Sequence, residues 1–178
     1  MVPITKSLIM RTSQFGQAEY ILSRLEDLGI RNGTCFEAGA SSPEYISNSK
    51  PFIAKGWKAY LVERDQHNCE KWESLRLNNV SIFNAAIPYK NDGLKYIFDN
   101  HMIPYDIDVM FLDIDGGEYQ LLDQFINHTY QPKVICVEYD NSFPLSINFV
   151  PSEICHGRQA SSMSFYKLMS SAGYVYVN

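Results

Sequence analysis

The feature of the sequence that most constrains its fold is a regular alternation of short apolar runs with segments of helical spacing. Such an alternation is typical of βαβ units, whose right-handed crossovers build a mostly parallel sheet covered by helices on both faces. The sequence therefore predicts an α/β fold with a doubly wound, mostly parallel sheet. The predicted strands lie at residues 34–39, 57–63, 80–83, 109–114, 133–138 and 174–177.

Apolar residues at a spacing of three and four predict the helices between these strands. We find no repeat and no linker, so we predict one domain over residues 1–178. Residues 141–158 contain two prolines and no regular pattern, which favours a lid or a substrate loop. The predicted helices lie at residues 14–28, 43–55, 67–77, 92–100, 118–127 and 162–170.

The charge of the chain disfavours two classes of partner. The sequence has 15 basic and 20 acidic side chains, a net charge of −5. Nucleic acids and anionic membrane surfaces both require a positive face. No apolar run approaches the ~18 residues of a membrane span, and the first ten residues lack the apolar core of a secretory signal. We therefore predict a cytoplasmic protein that binds neither nucleic acid nor membranes.

Acidic residues end four of the predicted strands. Ligands of doubly wound sheets bind beyond the carboxyl ends of the strands, near the point where the strand order reverses. The segment from residue 92 to residue 140 holds ten acidic side chains and only two basic ones. These acids predict a ligand site at one edge of the sheet. They are Glu37, Glu63, Asp113 with Asp115, and Glu138 with Asp140.

The turn after the first strand is compatible with a nucleoside. Gly39 lets the backbone approach a ligand, but the run around it is not G-x-G-x-x-G, so a dinucleotide enzyme is disfavoured. Glu63 follows 24 residues later, near the distance at which an acid binds ribose hydroxyls in nucleotide-binding folds. The alternative is that Glu63 only pairs with Arg64 or Lys58 at the surface. Gln14 could reach the same pocket or could be a surface amide.

Several motifs, taken in order, resemble those of FkbM-like S-adenosylmethionine-dependent methyltransferases. The resemblance spans roughly residues 13–174 and implies a class I methyltransferase fold that binds S-adenosylmethionine. The motifs are S-Q-x-G-Q at 13–17, N-G-T-C-F-E-A-G-A at 32–40, S-N-S at 47–49, G-W-K-A-Y-L-V-E at 56–63, D-I-D-G-G-E-Y at 113–119, P-K-V-I-C-V-E-Y at 132–139 and the closing stretch 168–174.

The resemblance also implies which residues contact the cofactor. Glu37, Gly39 and Ala40 would flank its methionine part, and Glu63 would hold its ribose. Asn84 and Ala85 would lie near the adenine, and the remaining candidates are Ser42, Asn48, Arg64 and Asp113.

Two departures from the family pattern stand out. Ser41-Ser-Pro43 replaces an acid and a second glycine, and the chain stops after its sixth predicted strand. The sheet is therefore expected to lack the usual last strand, either because the chain is truncated or because a second subunit of a homo-oligomer supplies that strand.

The ends of the fourth and fifth strands are similar to those of catechol-type O-methyltransferases, where such residues hold Mg²⁺. The implied ligands are Asp113, Asp115, Asp140 and Asn141, since oxygen ligands suit a hard divalent ion. The alternative is that these residues cap a helix and start a turn. A hydroxyl acceptor would need a general base, for which Asp115, Asp140 and His156 are the candidates.

The sequence thus predicts methyl transfer from S-adenosylmethionine to an oxygen of a sugar or another small polar molecule. The sugar follows from the resemblance alone, because a fold does not fix a substrate. Two alternatives stay open. One is an inactive methyltransferase fold that serves as a binding or assembly module, and the other is a dinucleotide-dependent Rossmann enzyme.

Overall fold

A computed structural model of the chain describes residues 13–126, 131–152 and 157–177. Within them, five parallel strands form one sheet in the order β3-β2-β1-β4-β5. This is the α/β, doubly wound, parallel architecture that the sequence predicted. The strands are β1 (Thr34–Ala38), β2 (Lys58–Glu63), β3 (Val80–Asn84), β4 (Val109–Leu112) and β5 (Val134–Val137).

Helices connect the strands and cover both faces of the sheet. A 3₁₀ turn at Gln14–Gly16 precedes the first helix. No helix in the described ranges is long and apolar enough to cross a membrane. The helices are α1 (Gln17–Asp27), α2 (Lys50–Ala54), α3 (Gln66–Ser74), α4 (Gly93–Asn100), α5 (Glu118–Ile126) and α6 (Ser162–Ser171).

The central strands bury side chains on both faces, which explains why their sequences are apolar throughout. Successive residues of a strand point to opposite faces, so β4 sends Met110 into one core and Phe111 into the other. Phe36 joins Met110, whereas Trp57 and Phe52 pack with Phe111. Each such fully buried side chain contributes roughly 1.5–3 kcal/mol of transfer free energy.

The strand order decides where a site can form. Because all five strands run in the same direction, their carboxyl ends share one edge of the sheet. The chain first builds β1, β2 and β3 to one side and then β4 and β5 to the other, so the order reverses between β1 and β4. Ligands of such sheets bind at this reversal.

The predicted sixth strand is wrong for the described residues. After α6 the chain turns at Gly173, whose φ is +88°, and the hydroxyl of Tyr174 donates to the carbonyl oxygen of Pro132 (2.7 Å). Pro132 precedes β5, so this contact holds the chain at the amino end of the strand. Val175 and Val177 remain largely exposed and join no strand.

The predicted helix at 43–55 is correct only in its second half. Residues 47–49 are held in a turn by their hydrogen bonds to Glu37, and α2 begins at Lys50. This helix therefore begins eleven residues after Gly39, and not four residues after it as predicted.

Candidate functional site

Glu37 is buried beneath the loop that follows β1. Its carboxylate accepts hydrogen bonds from the Ser47 hydroxyl (2.8 Å), the Asn48 N–H (2.6 Å) and the Ser49 N–H (3.0 Å). Burial raises the pKa of Glu37 above its ordinary value, and these hydrogen bonds oppose that rise. Glu37 therefore holds the loop in place from its buried side, and its two carboxylate oxygens already accept three hydrogen bonds.

Gly39 allows β1 and β4 to approach closely at their carboxyl ends. Its φ is +81°, and a Cβ added there would lie 1.7 Å from the backbone oxygen of Asp113. Other predicted cofactor residues of this loop are also buried: Ala40 completely, and Ser42 and Asn48 almost so. The side-chain oxygen of Asn48 accepts a hydrogen bond from Gln17 (3.0 Å).

Glu63 ends β2 and joins two neighbouring loops. One carboxylate oxygen accepts the N–H of Ser41 and the other accepts the N–H of Asp65, each at 2.8 Å. The alternative of a surface ion pair with Lys58 is not observed, because the Lys58 ammonium donates to Ser81 (2.9 Å). Each carboxylate oxygen can accept two hydrogen bonds, so Glu63 keeps acceptor capacity for hydroxyl groups.

The end of β3 is fastened to the end of β2. The side-chain amide of Asn84 donates to the carbonyl oxygens of Glu63 (3.2 Å) and Arg64 (3.0 Å), and the N–H of Ala85 donates to Glu63 as well (3.0 Å). Asn84 and Arg64 are exposed. Their contact with an adenine stays a prediction, whereas their role in joining the strand ends is structural.

Three acidic side chains converge on the other side of the strand-order reversal. Asp113 follows β4, Asp115 lies in the next turn, and Glu138 follows β5. One ligand oxygen from each lies within 4.8 Å of the others. Burial, together with the neighbouring charge of Asp115, raises the pKa of Asp113. Burial and the charge of Asp113 raise the pKa of Glu138 to about 7. We call these three residues the acid group.

Glu118, the first residue of α5, is tied to the turn that carries Asp113 and Asp115. Its carboxylate folds back from the start of the helix and accepts the N–H groups of Ile114 (3.1 Å) and Gly116 (2.8 Å). The side chain is completely buried, and its Oε2 has no hydrogen-bond partner within the described part of the chain. Burial raises the pKa of Glu118.

The predicted metal ligands Asp140 and Asn141 are not part of the acid group. The carboxylate of Asp140 accepts the N–H of Ser142 (2.8 Å), and the hydrogen bonds of Ser142 lower the pKa of Asp140. Asn141 is exposed. Asp140 thus begins a turn, which was the alternative interpretation of this residue. Glu138 takes the place next to Asp113 and Asp115 that the sequence analysis gave to Asp140. His156 lies outside the described residues, and Gln14 begins the 3₁₀ turn.

Residues 157–161 cross the carboxyl ends of β4 and β5. Gly157 donates its N–H to the carbonyl oxygen of Asp115 (2.6 Å). The side-chain amide of Gln159 donates to the carboxylate of Glu138 (2.8 Å). The sequence placed this segment at the end of an irregular loop, but gave no signal that Gln159 would meet Glu138.

A surface depression of about 420 Å³ lies elsewhere, between the chain ahead of β5 and the turn after α6. It is at the amino end of β5, opposite the edge that carries the acid group. We therefore do not assign it to the candidate site.

No protein-family model matches the chain, and no curated protein matches it. Among solved structures, a protein named as a sarcosine dimethylglycine methyltransferase from Galdieria sulphuraria superimposes with a TM-score of 0.57 at 10% identity. The match covers 92% of this chain but only 61% of that protein. A SAM dependent methyltransferase from Aquifex aeolicus gives a TM-score of 0.49 at 13% identity, covering 93% and 90% of the two chains.

The chain has a class I methyltransferase fold. The likeness to the Galdieria sulphuraria protein supports this fold, because the match covers 92% of the chain. At this level of identity it concerns the fold alone, and the FkbM-like family stays a prediction.

Proposed function

We propose that the protein transfers a methyl group from S-adenosylmethionine to an oxygen atom of a sugar or another small polar acceptor. The observation that carries the proposal is the position of two sets of carboxylates on either side of the strand-order reversal. Glu63 lies on the β2 side, and the acid group lies on the β4 and β5 side. A nucleoside and an acceptor could then meet between them.

The residues of the β1, β2 and β3 ends fit a nucleoside. Glu63 is held rigidly by two backbone N–H groups and retains acceptor capacity for vicinal hydroxyls. Gly39 donates its N–H to Val62, the neighbour of Glu63 in β2 (3.0 Å), and lets the ends of β1 and β4 approach each other. When bound, S-adenosylmethionine supplies a sulfonium methyl that is open to in-line displacement, so holding the two partners in line contributes much of the rate.

The acceptor would lie against the acid group. A hydroxyl must lose its proton as its oxygen forms the new bond, and the exposed Asp115 is the best-placed described carboxylate to accept that proton. Asp140, the other predicted base within the described residues, already accepts from Ser142 and has a lowered pKa, which weakens it as a base. His156 remains a predicted base.

Calorimetric titration of the protein with S-adenosylhomocysteine tests the cofactor assignment. Glu63→Gln removes the negative charge that would bind two hydroxyls, so we expect at least about tenfold weaker binding. Because Glu63 also holds the N–H groups of Ser41 and Asp65, some stability is lost too, and circular dichroism must confirm folding. Glu70→Gln, on the exposed face of α3, is the matched control. Unchanged affinity in folded Glu63→Gln would refute the ribose assignment.

A second candidate function is a binding or assembly module that no longer uses the cofactor. It is favoured by the loop after β1, where the N–H groups of Ser41, Asn48 and Ser49 already donate to the protein's own carboxylates. A lack of binding to both S-adenosylmethionine and S-adenosylhomocysteine would support this candidate. A response to NAD alone would instead support a dinucleotide enzyme.

A further inference from the structure

The chain that follows β5 presents an uncharged, apolar segment to solvent. Residues 141–152 contain no charged side chain, although 20% of all residues in the protein are charged. We call residues 139–149 the apolar loop. Large apolar side chains that remain exposed within one short segment indicate a surface that binds something. Those of the apolar loop are Tyr139 (42% exposed), Leu145 (72%), Ile147 (43%) and Phe149 (36%).

Hydrogen bonds and ring stacking hold the apolar loop in one shape. The hydroxyl of Ser161, a buried residue directly before α6, accepts the N–H of Phe149 (3.0 Å) and donates to the carbonyl oxygen of Ile147 (2.7 Å). The N–H of Ser161 donates to the carbonyl oxygen of Phe149 (2.9 Å). The rings of Phe143 and Phe149 stack with their centroids 4.6 Å apart. The loop is thus ordered before a ligand arrives, which lowers the entropy cost of binding one.

The base of the apolar loop lies beside the acid group. Tyr139 directly follows Glu138, and the N–H of Asp140 donates to the carbonyl oxygen of Ala160 (3.0 Å). The residue before Ala160 is Gln159, whose amide donates to the carboxylate of Glu138 (2.8 Å). An acceptor at the acid group therefore has the apolar loop as its neighbour.

Charge and size decide which kind of partner fits the apolar loop. The neighbouring carboxylates repel anions and the loop supplies no cation, so phosphates, carboxylates and anionic membrane surfaces are disfavoured. Four exposed large side chains fall far short of the about 20–30 residues that each side of a stable protein interface contributes. A small neutral molecule fits both conditions, since small-molecule sites are lined mainly by apolar and aromatic side chains.

We propose that the methyl acceptor is a neutral molecule whose hydroxyl is joined to an apolar ring or chain, and that the apolar loop binds this apolar portion. Removal of that portion from water supplies binding free energy. The inference rests on the proposed function for the role of the molecule as acceptor. It also narrows that function, because a free sugar has no such portion.

Calorimetric titration with 2-naphthol, a neutral hydroxyl compound with an apolar double ring, tests the inference without any cofactor. We expect a dissociation constant of about 10⁻⁴ M or tighter. 2-Naphthoate carries the same rings with a negative charge, so it should bind at least about tenfold more weakly. Equal affinity for the two compounds would contradict the preference for a neutral ligand.

A double variant removes the apolar surface and keeps the backbone of the loop. Leu145→Ser with Ile147→Ser changes two exposed side chains and leaves the hydrogen bonds to Ser161 in place, so we expect a folded protein that binds 2-naphthol about tenfold more weakly. Val175→Ser with Val177→Ser is the matched control, because these two exposed residues lie at the amino end of β5. Circular dichroism confirms folding of both variants.

The outcomes separate this inference from the proposed function. A parent protein that binds S-adenosylhomocysteine but not 2-naphthol at about 10⁻³ M overturns the inference and leaves the cofactor assignment intact. Binding of 2-naphthol without binding of S-adenosylhomocysteine supports a ligand site at the loop and overturns the role of its ligand as a methyl acceptor. Parent-like binding in the loop variant, or an equal loss in the control, also overturns the inference. A parent dimer in sedimentation that the loop variant cannot form would identify a second copy as the occupant instead.

Discussion

Replacing Glu37 with glutamine tests whether this residue holds the loop after β1. In the parent, one oxygen accepts the Asn48 N–H, and the other accepts the Ser49 N–H and the Ser47 hydroxyl. Glutamine can keep the first contact, but its amide nitrogen then faces the Ser49 N–H, so two donors oppose each other. The Ser47 hydroxyl can rotate and become an acceptor. The variant thus loses one hydrogen bond to a charged group and orphans one buried N–H.

Both effects concern the Ser49 N–H, and leaving such a buried donor unsatisfied costs roughly 1–3 kcal/mol, so we expect the free energy of unfolding to fall by about 2 kcal/mol at neutral pH. Urea unfolding followed by far-ultraviolet circular dichroism measures it. Glu70→Gln is the control, because exposed Glu70 has only a 3.2 Å contact with Gln66 and should change stability by less than about 0.5 kcal/mol.

The pH dependence of the Glu37→Gln effect gives a second check. Burial raises the pKa of Glu37 in the folded protein, so its folded state takes up a proton more readily than its unfolded state. Stability from this group is therefore greatest at low pH and falls as the pH rises through the folded pKa. Glutamine does not titrate and lacks this gain, so the stability difference between parent and variant should widen as the pH falls through the folded pKa. A variant within about 0.5 kcal/mol of the parent at neutral pH would refute the role of Glu37 as the loop's internal acceptor.

Three further perturbations follow from the same geometry. Gly39→Ala should lower the melting temperature sharply or prevent folding, because its Cβ would lie 1.7 Å from a backbone oxygen after β4; normal melting would contradict that contact. Burial raises the pKa of Asp108, but hydrogen bonds from Lys133 and Thr34 outweigh burial and hold this pKa below its ordinary value. Asp108→Asn should therefore lower the free energy of unfolding, measured with urea, by about 1–2 kcal/mol at neutral pH and by less in acid. An equal loss at neutral and acid pH would show that ionisation of Asp108 does not stabilise the fold. The pKa of Glu138 is raised to about 7, so the parent protein should gain stability as the pH falls from 7 toward the ordinary value of 4.5. Glu138→Gln should reduce the rise of the melting temperature between pH 7 and the ordinary value of 4.5. An unchanged rise in the variant would show that another group causes it.

The sequence was sufficient to predict the fold because the strand signals are strong and local. Residues 109–112 are apolar without interruption, as a strand buried on both faces requires. The run at 174–177, Tyr-Val-Tyr-Val, also consists of residues that favour strands, but it forms no strand. Strand propensity describes how well a residue fits a sheet. It does not determine whether the turn before the residue positions the chain next to that sheet.

The candidate site was predictable at the level of strand ends and not at the level of side chains. All the acids lie where parallel strands end, so their shared edge followed from topology. Whether Glu138 or Asp140 lies next to Asp113 and Asp115 depends on the path of the chain just after β5. Asp115, Gly116 and Gly117 all have positive φ, and this sharp turn brings the Glu118 carboxylate back to the N–H groups of Ile114 and Gly116. A D-G-G run indicates a turn but does not give its direction.

The bond between Trp72 and the loop after β1 gives the protein a natural optical probe. The indole N–H of Trp72 donates to the carbonyl oxygen of Ser41 (3.0 Å), while Ser41 donates its own N–H to Glu63. Any molecule that displaces this loop will alter the surroundings of the indole and shift its emission. Trp57, completely enclosed beside Phe52, supplies a steady reference signal from the interior. Ligand screening at this edge therefore needs no attached dye.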